Sequence, residues 1–189
     1  MGEKLKITTT NFQDLFIIQP NIFQDERGSF SRVVCMKEME GLFQTNIKQV
    51  NHSKTAQKGT VRGLHFQYPP HTEIKMIKCI RGKVFDVAVD VRGDSDTFLQ
   101  AFCIELSEEN ECMVYIPEGF AHGFQTLEND TELLYFHSNF YIDSNEGGLN
   151  IQDPKLNIQW PLDVCNLSKR DKNHEWTTEN FKGIMINEM

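Results

Sequence analysis

The chain has 189 residues, 39% of them hydrophobic, which suits one globular domain with a sizeable core and excludes a disordered chain. A formal net charge of −8 argues against a nucleic-acid binder, which shows a broad basic face, and leaves room for an anionic ligand only at a local cluster of Arg and Lys. No run of about 18 apolar residues occurs, and "MGEKLKITTT" has neither an apolar signal core nor an acylation pattern, so no membrane span, secretory signal or lipid anchor is predicted.

In chain order, "MKEMEGLF" (36–43) is predicted as a short helix. The run "VRGLHFQYPP" (61–70) holds a single histidine, His65, before a turn. "IKCI" (77–80) reads as a strand that ends at Arg81 and Gly82. "KVFDVAVDV" (83–91) alternates: Phe85, Val87, Val89 and Val91 fall on one face, Asp86, Ala88 and Asp90 on the other. That pattern predicts a strand with one buried face. "TFLQAFCIEL" (97–106), "CMVYIP" (112–117) and "TELLYFHSNFY" (131–141) follow as strands, and "WTTENFKGIMI" (176–186) as a C-terminal helix. Strands recurring every ten to fifteen residues, broken at Gly, Pro or Asp, predict an all-β sandwich or jelly roll. Without repeats, linkers or low-complexity segments, residues 1–189 are read as one domain.

The five cysteines, Cys35, Cys79, Cys103, Cys112 and Cys165, are odd in number and include no CxxC pair. They are read as reduced, mostly buried thiols of a cytoplasmic protein.

Two segments resemble the paired motifs of the cupin jelly roll. One runs from Gly59 through His65 to Gly82; the other is "PEGFAH", with Pro117, Gly119 and His122. In a metal-binding cupin the first motif carries His-x-His and a later Glu. Here Gln67 takes the second histidine's place, and His71 is a distant substitute. The set His65, Gln67, His71 and His122 is short of strong ligands, so no metal is expected. A satisfied core histidine is the plainer alternative for His65. Against it stand the polar neighbours: "KQVNHSK" (48–54) before and "HTEIK" (71–75) after. Such groups line the mouth of a barrel that holds a ligand. On a regular strand Arg62 and His65 face opposite ways; Gly63 permits a bend that turns them together.

The stretches "QVNHSKTAQKGTVRGLHFQ", "GKVFDVAVDVR" and "IPEGFAHGF" resemble the dTDP-4-dehydrorhamnose 3,5-epimerase family. "FQDERGSF", "LLYFHSNFY", "IQWPL" and "LSKRD" fall in that family's order, so the resemblance runs from about residue 10 to 172. It implies a cupin-type jelly roll with a few short helices near the termini. It also implies a substrate in which a nucleotide diphosphate carries a 4-keto-6-deoxy sugar. The C4 ketone acidifies the hydrogens on C3 and C5; epimerisation needs a base, an acid on the other face and a charge near the enolate oxygen. By resemblance His65 is the base, Asp171 orients it, Lys75 faces the enolate and Tyr135 returns the proton. Arg62 and Arg27 meet the diphosphate, with Arg27 reaching across from a partner subunit, and Phe30 packs on the nucleotide base. Gln49, Asn51, His122, Tyr141, Glu146 and Arg170 match further substrate-binding positions. The family uses no metal or redox cofactor and is a homodimer through exchange of N-terminal strands. Taken singly, Tyr135 can equally be a core aromatic, Asp171 a turn cap and Lys75 a solvated strand residue.

The chain departs from the family pattern at Arg32, Glu73, Ile74, Phe136 and Ile151. These changes point to an altered nucleotide or sugar, such as a GDP-linked 4-keto-heptose of bacterial surface polysaccharide pathways. The readings weighed against an epimerase are a metal-dependent cupin oxygenase, a nucleotide-sugar 3,4-ketoisomerase and a non-catalytic sugar-binding cupin.

Overall fold

The alternation in "KVFDVAVDV" becomes the strand Lys83–Asp90, but both of its faces are buried. Val87, Val89 and Val91 pack beneath Leu149, Ile151, Leu156 and Ile184 of the C-terminal segment. The opposite face carries Val84 and Ala88 into a second cluster, between the sheets. Asp86 and Asp90 share that inner face. Each is tolerated there because it is paired: Asp86 with His122, and Asp90 with Arg92, Ser95 and Thr97. The expectation of one buried face is therefore corrected; the polar half of the alternation lines an interior and not solvent.

A computed structural model describes residues 4–42 and 47–186. Its strands are β1 (Leu5–Thr9), β2 (Phe16–Pro20), β3 (Phe23–Asp25), β4 (Gly28–Phe30), β5 (Gln49–Thr55), β6 (Val61–Gln67), β7 (Lys75–Arg81) and β8 (Lys83–Asp90). After these come β9 (Ala101–Ser107), β10 (Met113–Ile116), β11 (Phe120–Thr126), β12 (Thr131–His137) and β13 (Glu146–Gly148), and one turn of helix, α1 (Lys169–Lys172). A six-stranded sheet is ordered β1-β2-β10-β7-β12-β5, a five-stranded sheet β13-β6-β11-β8-β9, and β3 pairs only with β4. All named strand pairs are antiparallel, as in a jelly roll.

The apolar residues form three clusters. Ile77, Cys79, Leu106, Val114, Phe124 and Leu133 meet between the two sheets. Leu5, Ile18, Met39, Met76, Met113 and Tyr115 cover the outer face of the six-stranded sheet. The third cluster lies under residues 149–186, as above. Each fully buried aliphatic or aromatic side chain contributes roughly 1.5–3 kcal/mol relative to exposure, so the covering segments matter as much as the strands.

Neither predicted helix forms. Residues 36–42 are turns, with Met39 driven into the outer cluster; residue 43 lies outside the described residues. Residues 176–186 form an irregular segment with a turn at 179–180, and Ile184 bridges to Arg92 to cap the five-stranded sheet. Their apolar residues serve as a lid on a β-face, which overrides weak helical periodicity. The strand predicted over 97–106 starts at Ala101, because the hydroxyls of Ser95 and Thr97 bond Asp90 and hold a turn before it. The strand predicted over 131–141 ends at His137; the Ser138 backbone N–H then donates to the Ile74 carbonyl and the chain turns away. The cysteines are all free, but only Cys79 is buried, and Cys103 on the edge strand β9 is exposed.

Candidate active site

Between the two sheets opens a cavity of about 650 Å³. The inward residues of β5, β7 and β12 supply one wall: Asn51, Ser53, Thr55, Lys75, Tyr135 and His137. Arg62, His65, His122 and Phe124, from β6 and β11, supply the other.

Arg62 and His65 do share a face, through a bulge. His122 pairs with His65 and Phe124 with Arg62, so β11 advances two residues while β6 advances three. Gly63 is the extra residue. Its φ is +125°, and a Cβ there would fall 2.5 Å from the Cα of Gly123, so both the conformation and the space require glycine.

Asp171 reaches His65 from α1. Ser168 caps this helix by accepting a hydrogen bond from the Asp171 backbone N–H at 3.0 Å. The Asp171 carboxylate is thereby freed for His65, whose Nε2 lies 2.8 Å from Oδ1. A carboxylate can only accept, so pairing with Asp171 puts the ring proton on Nε2 and the lone pair on Nδ1; Arg170 Nη2, a donor 3.1 Å from the same Nε2, then makes no hydrogen bond to it. Burial opposes ionisation of Asp171, but hydrogen bonds from His65 and the Gly63 backbone N–H outweigh it and hold its pKa at about 2. The cap and the dyad are both real; they use different atoms of the same residue.

Lys75 is buried on the facing sheet and donates to the His65 carbonyl at 3.2 Å and to Glu73 at 3.3 Å. Glu73 also accepts from His137 Nδ1 at 2.7 Å. Burial raises the Glu73 pKa, yet His137 and Lys75 bring it below the ordinary carboxylate range. Tyr135 hydroxyl lies 3.2 Å from Ser53 Oγ; burial raises its pKa strongly, so it stays protonated at neutral pH. Its ring stacks on His137 and meets His122 edge-on. At the rim, Tyr141 and Arg170 both contact Glu146.

Of the residues expected from the sequence, His65, Lys75, Tyr135, Asp171, Asn51, Arg62, His122, Tyr141, Glu146 and Arg170 line this one cavity. Gln49 does not; it sits behind the rim, accepting from the Tyr141 backbone N–H. Arg27 and Phe30 are also outside it, on the exposed β3–β4 hairpin, where Arg27 pairs with Asp25. The alternative metal set is not assembled. Gln67 spends its amide on the backbones of His71, Phe140 and Ile142, and His71 does not line the cavity. Of the five departures, only Glu73 reaches the cavity: Arg32 pairs with Glu38, Ile74 and Phe136 pack in the outer cluster, and Ile151 is buried under the C-terminal segment. His137, Asp86 and His174 were not singled out from the sequence. The first two have a signal in hindsight, since each lies two residues from a named strand position on the same face. His174 stands three residues past Asp171 and ends 4.0 Å from it. Burial and then neighbouring His65 lower the His174 pKa.

Two facing antiparallel sheets around an acid–base cavity with basic side chains define a cupin-type jelly-roll protein built for proton transfer. The family model described as dTDP-4-dehydrorhamnose 3,5-epimerase matches residues 9–179. The dTDP-4-dehydrorhamnose 3,5-epimerases of Shigella flexneri and Salmonella typhimurium are 40% and 41% identical, covering 89% and 87% of this chain and 94% and 91% of their own. The crystal structure of the 3,5-epimerase of Legionella pneumophila in complex with dTDP-4-keto-L-rhamnose superposes with a TM-score of 0.89 at 36% identity, covering 97% of this chain and 100% of that one. A 3'-monoepimerase from Streptomyces bikiniensis, in complex with dTDP-quinovose, gives 0.82 at 30%, covering 88% and 85%. The chain belongs to the dTDP-4-dehydrorhamnose 3,5-epimerase family, and as an epimerase it is an isomerase.

Proposed function

We propose that this protein epimerises C3, C5 or both in a dTDP-linked 4-keto-6-deoxy sugar, within deoxysugar biosynthesis. The observation that carries this reading is the placement of His65 and Tyr135 on opposing sheets of one cavity, with Lys75 between them in charge and Asp171 behind the histidine. His65 takes the proton next to the ketone through Nδ1, and Asp171 stabilises the imidazolium. Lys75 stabilises the enolate oxygen. Tyr135, kept protonated by burial, delivers a proton from the other wall. Arg62 and Arg170 meet the diphosphate; Asn51, His122, Tyr141 and Glu146 position the sugar and nucleotide.

The GDP-linked heptose expectation rested on changed walls, and four of the five changes lie outside the cavity, so dTDP is the nucleotide proposed. Calorimetric titration with dTDP and GDP decides between them: tighter binding of GDP overturns the choice. His65→Asn is expected to lower solvent-deuterium incorporation at C3 and C5 by ~10²–10⁴-fold while dTDP affinity is kept. Incorporation that persists in His65→Asn defeats the assignment of the base.

The working unit is proposed to be a cytoplasmic homodimer of single-domain chains. Supporting it, the β3–β4 hairpin joins neither large sheet and exposes Ile22, Phe23 and Phe30, an arrangement suited to exchange with a partner. Exchange would also bring Arg27 and Phe30 to the substrate. The free cysteines agree with a reducing compartment, and no helix among the described residues is long and apolar enough to cross a membrane.

A further inference from the structure

Beyond α1 the chain places a second imidazole against the His65–Asp171 pair. The ring of His174 stands edge-on to that of His65, 5.8 Å between centroids at 68°. It fills the space above Gly148, where a Cβ would fall 2.2 Å from it. Asn150 Nδ2 holds its backbone carbonyl at 2.8 Å, which fixes the approach. His174 Nε2 is buried and has no hydrogen-bond partner, although it lies 4.0 Å from Asp171 Oδ1. A buried ring nitrogen without a partner is costly unless something binds there. One ligand atom each from His65, Asp171 and His174 falls within 4.8 Å of the others.

We propose that His65, Asp171 and His174 form a site for a zinc-class divalent cation that switches the catalytic base off. Two imidazoles and one carboxylate favour such a cation over calcium or magnesium, which take oxygen ligands. Tetrahedral zinc at Zn–N of about 2.0–2.1 Å needs ligand atoms roughly 3.4 Å apart. Two of the three separations, 2.8 Å and 4.0 Å, bracket that value and the third lies within 4.8 Å, so side-chain rotations that draw the two imidazoles together close the site. Binding moves one proton within His65, from Nε2 to Nδ1, and Nε2 then gives its lone pair to the metal. No net proton is released and nothing is oxidised. The nitrogen that served as base now carries a proton and has no lone pair left for the substrate. This consequence rests on the proposed role of His65; the binding itself does not.

Arg170 opposes the cation. Its Nη2 lies 3.1 Å from His65 Nε2, and its Nε 3.4 Å from Asp171. It is half exposed and already bonded to Glu146, so it can yield toward that carboxylate. The site is thus one that an anionic substrate drawing on Arg170 and a cation displacing it use in turn.

The test titrates metal-free full-length protein with zinc chloride by calorimetry and with cobalt(II) by visible absorption. One ion per chain is expected, with the intense bands of low-coordinate cobalt. His174→Ala, and His174→Phe which keeps a ring over Gly148, should each weaken binding by at least ~10-fold. Solvent-deuterium exchange into the substrate should fall in step with zinc occupancy, return on adding EDTA, and resist zinc in both variants. Absence of binding at millimolar metal, unchanged binding in the two variants, or full exchange activity in the zinc-loaded protein would each overturn the proposal. The calorimetric and cobalt readings need no substrate, so an inactive epimerase with intact metal binding overturns only the activity reading.

Discussion

Asp171 and Glu73 do the same kind of work on opposite walls of the cavity: each is a buried carboxylate that sets the proton of a histidine. For Asp171 the folded pKa of about 2 lies below its ordinary 3.8. A depressed carboxylate stabilises the fold above its unfolded pKa and loses that contribution as pH falls through the folded value. Asp171→Asn is therefore expected to be less stable by roughly 2 kcal/mol at pH 7, with the gap closing between about pH 4 and pH 2. Urea unfolding of both proteins across that range measures it; a gap that stays constant contradicts the pairing with His65. Glu73 is the counter-charge of buried Lys75. Glu73→Gln keeps the shape and an acceptor for His137 but leaves the ammonium unpaired, for an expected loss of ~3 kcal/mol in the same assay. At this scale the sequence was legible wherever a resemblance named the residue. His137 and Asp86 escaped because their partners lie 64 and 36 positions away, beyond what spacing along the chain can match; His174 stands three residues from Asp171, but the His65 ring that it meets is distant in the chain.

Among the elements, β6 carries the most consequence. A regular strand would send Arg62 out of the cavity that holds His65; the bulge at Gly63 against Gly123 turns it in. Gly63→Ala combines a left-handed φ with a 2.5 Å backbone clash, so it is expected to cost at least ~2 kcal/mol. The same substitution should weaken dTDP binding more than stability alone explains, because Arg62 is displaced. Calorimetry on the folded variant under native conditions reads this; unchanged affinity would mean that the bulge serves packing only. The strands were legible because period-two alternation and turn residues are local signals. The two helices were misread because residues 36–42 and 176–186 take their shape from the sheets that they cover, and no local pattern records the surface beneath.

For the whole molecule, the hairpin of β3 and β4 has no place in either large sheet and leaves Phe23 and Phe30 half or more exposed. Replacing both by Lys is expected to yield a monomer by light scattering after size exclusion, with activity lost as Arg27 is withdrawn from the neighbouring site. A variant that stays dimeric and active contradicts strand exchange. The sequence by itself determined the class of fold and the family, and it named the candidate acid–base and basic residues, since these rest on alternation, turn chemistry and motifs contiguous in the chain. Only the tertiary structure decided which of them meet. It put His65 and Tyr135 on facing walls and left Arg32, Ile74, Phe136 and Ile151 outside the cavity. It also buried both faces of β8 and brought His174 to the His65–Asp171 pair. The physical reason is that these outcomes depend on sheet register, one bulge and the covering segments, all of them contacts between residues far apart in the chain.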